Sequence, residues 1–258
     1  MKHNRIILAA LLAIAALCAQ AQTPLVVAHR GYWDTPSSAQ NSIRSLVKAD
    51  SIGCYGSEFD VWLTADRVAV VNHDDRIGGR VIETSPSADI LSQRLANGEC
   101  VPTLDAYLRK ARRLKTRLVL EIKEHRSDAN NILAAAMTLA AVKSHRMEKR
   151  TDYITFSKTA FAYLLKHAPK GTPIYYLSGD YTPEQLKDMG ATGADYHIDV
   201  FRSRHPDWIE RMHQLGLKVN IWTVNSRDDL QWCISHKADF ITTNAPTLLQ
   251  QMLREPQE

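Results

Sequence analysis

Nine short apolar or β-branched runs, separated by stretches with helical spacing, constrain this 258-residue chain more than any other feature. The runs occupy residues 25–28, 57–62, 68–72, 117–122, 153–156, 173–177, 194–198, 218–224 and 240–243. Helical candidates fall between them at 41–49, 104–114, 129–145, 159–167, 183–189, 207–215 and 227–235, and a last one follows at 247–253. Such alternation predicts βα units around a parallel sheet. One gap breaks the pattern. Only five residues, 63–67, separate the second and third runs, whereas a parallel crossover needs about a dozen. Those two runs are therefore expected to form an antiparallel hairpin. With its return strand set aside, eight strands remain. The predicted fold is a (β/α)8 TIM barrel with a hairpin and loop excursion after the second barrel strand. Residues 76–98 carry weak helix signals and continue that excursion, leaving from the end of the barrel where chemistry sits.

The first 21 residues have the pattern of an export signal. Lys2 and Arg5 precede an apolar run at 6–17, and Ala19-Gln20-Ala21 is a small-x-small cleavage site. Bulky Leu17 before Cys18 argues against a lipoprotein. Residues 22–258 are then expected to be a single catalytic barrel domain in an exported protein, periplasmic or secreted. Losing Lys2 and Arg5 lowers the formal charge from +4 to +2. So small a charge gives no reason to expect nucleic acid as a partner. No later stretch is apolar for long enough to insert stably in a membrane. The remaining cysteines, Cys54, Cys100 and Cys233, are odd in number, so at least one thiol is free. A Cys54–Cys100 bridge stays open. No pair has metal-ligand spacing, which excludes a thiolate zinc site.

The chemistry lies at the ends of the runs. Side chains alternate along a strand, so Glu58, Asp60 and Trp62 share one face of the second run. Glu121 and Lys123 share a face of the fourth. Two strands thus point carboxylates toward one interior. Buried carboxylates held together are costly without a neutralising cation, and oxygen ligands of this kind suit a hard divalent ion, Ca²⁺ or Mg²⁺. Arg30 and Lys123 are candidate phosphate ligands, since a guanidinium can grip two phosphoryl oxygens at once. His29 and His73 each end a run and form a candidate acid–base pair. Folding the hairpin about residues 65 and 66 is expected to set His73 opposite Glu58. The other eight histidines are read as structural or exposed. Tyr32 and Trp33 stand at the expected rim, either as walls for an organic head group or as aromatic caps on the barrel.

His29-Arg30-Gly31, then Asn41, Glu58-x-Asp60-Val61, Thr64-x-Asp66, His73-Asp74, Val101-Pro102-Thr103-Leu104, Glu121-Ile122-Lys123, Trp222-Thr223-Val224-Asn225 and Ile241-Thr242-Thr243-Asn244-Ala245-Pro246 together resemble the glycerophosphodiester phosphodiesterase family. The resemblance implies a (β/α)8 barrel that uses Ca²⁺ or Mg²⁺ to cleave small-molecule glycerophosphodiesters to glycerol 3-phosphate and an alcohol. It implies that Glu58, Asp60 and Glu121 are metal ligands, that His29 and His73 are the acid–base pair, and that Arg30 and Lys123 bind phosphate. Trp222 is expected to pack against the glycerol end. The chain departs from the family pattern at Gln40-Asn41-Ser42, where Glu-Asn-Thr is usual, which removes a negative charge expected near the metal. It has Asp66-Arg67 for an Asp-Gly turn and lacks the usual Arg-Thr-Thr after His73-Asp74. Two other functions are compatible with such a barrel: a lysophospholipid- or sphingomyelin-type phosphodiesterase that forms a cyclic phosphate, and a non-catalytic binding protein. The intact set of histidines, acids and Lys123 argues against the second.

Overall fold

A computed structural model describes residues 23–255; the export-signal segment lies outside them. The strands are β1 (Leu25–Ala28), β2 (Gly56–Leu63), β3 (Ala69–Val71), β4 (Arg76–Ile77), β5 (Arg80–Val81), β6 (Arg117–Ile122), β7 (Thr151–Thr155), β8 (Ile174–Tyr176), β9 (Gly193–His197), β10 (Lys218–Trp222) and β11 (Phe240–Thr243). Neighbours run β1-β11-β10-β9-β8-β7-β6-β2, and β1 also pairs with β2, so eight parallel strands close on themselves. This is the expected (β/α)8 barrel. β3 is the predicted hairpin return, antiparallel to β2. It pairs with Val61–Leu63, above the point where β1 pairs with Gly56 and Ser57. The short β1 thus ends early, and β3 covers the edge of β2 that it leaves open.

Helices α1 (Ile43–Ser51), α2 (Ser87–Leu91), α3 (Leu104–Ala111), α4 (Asp128–Ser144), α5 (Lys158–His167), α6 (Pro183–Met189), α7 (Trp208–Gln214), α8 (Arg227–Ser235) and α9 (Pro246–Met252) complete the chain. Their starts are written in the sequence. Ser42, Thr103, Ser127, Ser157, Thr182 and Ser226 each accept a hydrogen bond from an otherwise unpaired amide of the first turn, worth about 1 kcal/mol apiece. Asn41, expected to open α1, instead lies before it with φ +60°. Phe59, Val61 and Leu63 face outward and pack under the helices, as alternation predicted. The excursion is more ordered than its weak helix signals implied. It contains the β4–β5 hairpin, a 3-10 turn at Ile82–Thr84 and α2. Ile82, Ile90 and Val101 pack there with Trp62 and Val70 in a small apolar core of their own. The three cysteines among the described residues are all free, so the Cys54–Cys100 bridge does not form.

Candidate active site

At the carboxyl ends of the strands, β2 supplies Glu58 and Asp60 and β6 supplies Glu121. One oxygen from each lies within 4.8 Å of the others, and all three residues are buried. β2 and β6 pair with Asp60 level with Glu121, so the register itself brings these acids together. Asp60 is the well-held member. Asn41 donates to its Oδ2 at 2.8 Å and accepts from its backbone N–H at 3.1 Å, and Lys123 Nζ lies 3.3 Å from Oδ1. Burial alone would raise its pKa, but Lys123, His73 and the Asn41 hydrogen bond outweigh burial and hold it below the usual carboxylate value. Glu58 and Glu121 go the other way. Burial, then the Asp60 charge, pushes Glu121 up to about 7; burial, Asp60 and Glu121 raise Glu58 well above its ordinary value. Glu58 Oε1 is buried with no hydrogen-bond partner. Three converging buried acids with an orphaned oxygen are a donor set that fits a divalent cation.

The cationic groups surround this cluster. Lys123 Nζ lies 2.8 Å from Glu121 Oε1, and the two acids outweigh burial to raise its pKa. The Arg30 backbone N–H donates to Glu58 Oε2 at 2.7 Å, while its guanidinium donates to Gln40 Oε1 at 2.6 Å. Gln40 thus meets Arg30, and what its lost charge changes is the pairing of that guanidinium. To aim its N–H at Glu58, Arg30 adopts φ +56°. Gly31 follows at φ +76°, where a Cβ would fall 2.6 Å from that of Ser45 in α1. Only glycine allows β1 to turn this close to α1.

His29 Nδ1–H donates to Asn244 Oδ1 at 2.8 Å, since an amide oxygen only accepts, and this leaves Nε2 facing Glu58 Oε2 at 4.0 Å. Burial, then the Arg30 charge, lowers its pKa to about 4. His73 Nδ1 lies 2.7 Å from Asp74 Oδ1. Burial lowers its pKa, against the pull of Asp60. The expected placement of His73 is corrected by the register. Val61 pairs with Val71, and Asn72 N–H bonds to Asp60 O at 3.1 Å, so His73 comes level with residue 59. Of the buried acid cluster, it is the charge of Asp60, not of Glu58, that acts on it.

His29, Arg30, Glu58, His73, Glu121, Lys123 and Trp222 line a cavity of about 260 Å³. Asp60 lies beneath it, 1% exposed. Phe156 and Leu177 form an apolar side with Trp222, whose ring meets Phe156 edge-on at 5.6 Å and whose indole N–H donates to Asp195 O at 2.8 Å. Tyr32 packs into the helix-side core, whereas Trp33 borders a second, wider cleft that meets the first at His73.

Phe156, Asn244 and Asp195 were given no role from the sequence. Asn244, 215 positions from His29, orients that ring. Asp195 also lines the cavity, with Oδ1 buried and unpartnered. Burial, then the Glu121 charge, raises its pKa well above the ordinary value. An acid at an inward strand position was its available signal, the same one that marked Glu58.

A family model described as the glycerophosphoryl diester phosphodiesterase family matches residues 29–248. The chain is 45% identical to a solved glycerophosphodiester phosphodiesterase from Parabacteroides distasonis, with a TM-score of 0.88 over 90% of this chain and 97% of that one. It is 25% identical to a glycerophosphodiester phosphodiesterase of Caldanaerobacter subterraneus subsp. tengcongensis, covering 90% of this chain and 98% of the relative. A solved Oleispira antarctica phosphodiesterase, in complex with its product sn-glycerol-3-phosphate, shares the fold at 20% identity and a TM-score of 0.78, over 90% of this chain and 98% of that one. With the barrel, the clustered acids and the flanking histidines in place, the chain belongs to the glycerophosphoryl diester phosphodiesterase family and is a phosphoric diester hydrolase.

Proposed function

We propose that this protein hydrolyses glycerophosphodiesters to glycerol 3-phosphate and an alcohol, with Ca²⁺ or Mg²⁺ held by Glu58, Asp60 and Glu121. One observation carries the reading: three buried carboxylates converge within 4.8 Å, one with an orphaned oxygen, in a cavity flanked by two histidines. A cation in that group would withdraw charge from the phosphate and orient it for in-line attack. Arg30 and Lys123 bind the phosphoryl oxygens. His29 takes the proton from the attacking water, because its Nδ1–H is committed to Asn244 and its Nε2 lone pair is free. His73 protonates the leaving alkoxide, because Asp74 stabilises the charged imidazolium. Trp222 and Phe156 enclose the glycerol, and the unpartnered Asp195 oxygen offers a hydrogen bond to a glycerol hydroxyl.

The N-terminal pattern supports export to the periplasm or beyond, with residues 22–258 acting as one catalytic domain. No helix among the described residues is long and apolar enough to cross a membrane. The test is glycerophosphocholine turnover by purified protein, followed by phosphorus NMR. Chelation should abolish turnover, Ca²⁺ or Mg²⁺ should restore it, and glycerol 3-phosphate should appear directly. Full activity in excess chelator with no metal retained would refute the metal role; an accumulating cyclic phosphate would replace hydrolysis with cyclisation.

A further inference from the structure

We propose that the wide cleft beside His73 seats the leaving alcohol, and that this alcohol is a bulky, uncharged polyol of the inositol or hexose type. The inference rests on the phosphodiesterase reading above and adds the substrate class. Two cavities of unequal size meet at His73: about 260 Å³ on the side of the acid cluster and about 830 Å³ on the outer side. The smaller suits a glycerol phosphate. The larger lies within the range of about 300–1,000 Å³ that holds drug-sized ligands, and far exceeds the needs of choline or ethanolamine. His73, shared by both, is placed to protonate an oxygen leaving from one into the other.

The walls of the cleft point to the same class. One wall is the loop after β1, from Trp33 to Asn41; the other is formed by residues 72–78 and 94–96. The walls are tied together by Asn97 Nδ2 donating to Ser37 O at 3.4 Å and by Arg44 facing Glu99 at 3.8 Å. Among the charged side chains other than His73 that line the cleft, Asp34 and Asp74 balance Arg76 and Arg94. A quaternary ammonium group is recognised by an aromatic cage, yet Trp33 is the one aromatic lining residue among those described. A second phosphate is best held by clustered, unopposed arginines, whereas here Arg76 is paired with Asp75 and two acids line the same cleft. Hydroxyl groups both donate and accept, so a polyol can use carboxylates and guanidinium groups together. The Trp33 indole N–H, donating to Asn244 Oδ1 at 3.3 Å, fixes the ring at the mouth, where its face can meet the C–H face of a sugar or inositol ring.

The test measures kcat/KM for the full exported chain with its cation on glycerophosphocholine, glycerophosphoethanolamine, glycerophosphoinositol and a glycerophosphohexose. The polyol substrates should lead by about tenfold or more, the size of one or two well-made hydrogen bonds. Asp34, Asp74, Arg76 and Arg94 are all exposed, so their replacement leaves the core intact. The double substitution Asp34→Ala with Arg94→Ala should collapse the ratio of polyol to choline turnover, chiefly through KM. Equal rates across the panel, preference for choline or for a doubly phosphorylated head group, or a ratio that survives the double substitution would overturn the proposal. Failure to hydrolyse any member would instead sink the phosphodiesterase reading on which it rests.

Discussion

Both ends of this barrel bury acids; at the amino end each has its donors, whereas at the carboxyl end only Asp60 is well held. At the amino end, Asp239 accepts hydrogen bonds from Lys218 Nζ at 2.6 Å, His213 Nε2 at 2.9 Å and the Val219 N–H at 2.9 Å. Burial would raise its pKa, yet these partners hold it below the ordinary value. Asp152 meets Arg117 at 2.5 Å, which offsets part of the burial that raises its pKa, and Asp50 accepts two amide hydrogen bonds from Lys115 and Thr116. At the carboxyl end, Glu58, Glu121 and Asp195 are pushed upward by burial and then by the charges of Asp60 or Glu121. The same functional group is structural where each charge has its donors. It is chemical where acids converge without enough of them, because an uncompensated site is one that a cation or substrate can complete.

The largest effect that would test this contrast is kinetic. His73→Ala or His29→Ala should lower kcat by about 10²–10⁴-fold with little change in the unfolding midpoint, while Asp239→Asn should leave kcat near wild type. Wild-type turnover in either histidine variant would remove the acid–base assignment. Stability should show the reverse order. Asp239→Asn takes the charge from a buried amide, a half-buried histidine and the exposed Lys218 and should cost about 1–3 kcal/mol in urea unfolding. Glu58→Gln, measured in chelator, should cost nothing, since it removes a charge that burial disfavours and keeps an acceptor for the Arg30 N–H. Comparable losses in both would show that the two ends are energetically alike.

The pH dependence should also split. Glu121, raised from 4.5 to about 7, favours its neutral form in the fold. Folding then takes up a proton, and the stability of the chelated protein should fall as pH rises from about 4.5 to about 7. Asp239, depressed in the fold, contributes stability above its ordinary value of 3.8 that is lost as pH falls through its lower folded value. Melting curves across pH in chelator and in Ca²⁺ check this: the fall toward neutral pH should vanish with the ion. The smallest effect belongs to the hairpin turn. Arg67 adopts φ +64° where relatives are expected to have glycine, so Arg67→Gly should stabilise by up to about 1 kcal/mol and leave kcat unchanged.

Local pattern carried much of this protein. The five-residue gap after Trp62 forced the hairpin, because no parallel crossover fits in it. Alternation put Glu58 and Asp60 on one face of β2, and Glu121 with Lys123 on one face of β6, since a strand has a period of two. Helical spacing between the runs placed the helices of the barrel, α1 and α3 among them. What local pattern did not carry is everything that depends on pairing between distant segments. The depth of His73 follows from the β2–β3 register, which set it beside Asp60. Gln40 answers to Arg30 because the loop after β1 folds back over α1. Asn244 reaches His29 only because β11 pairs with β1 to close the barrel. The sequence by itself determined which residues could carry charge into the interior. Tertiary closure decided which of those charges would find partners, because burial and partnership are set by neighbours far away along the chain.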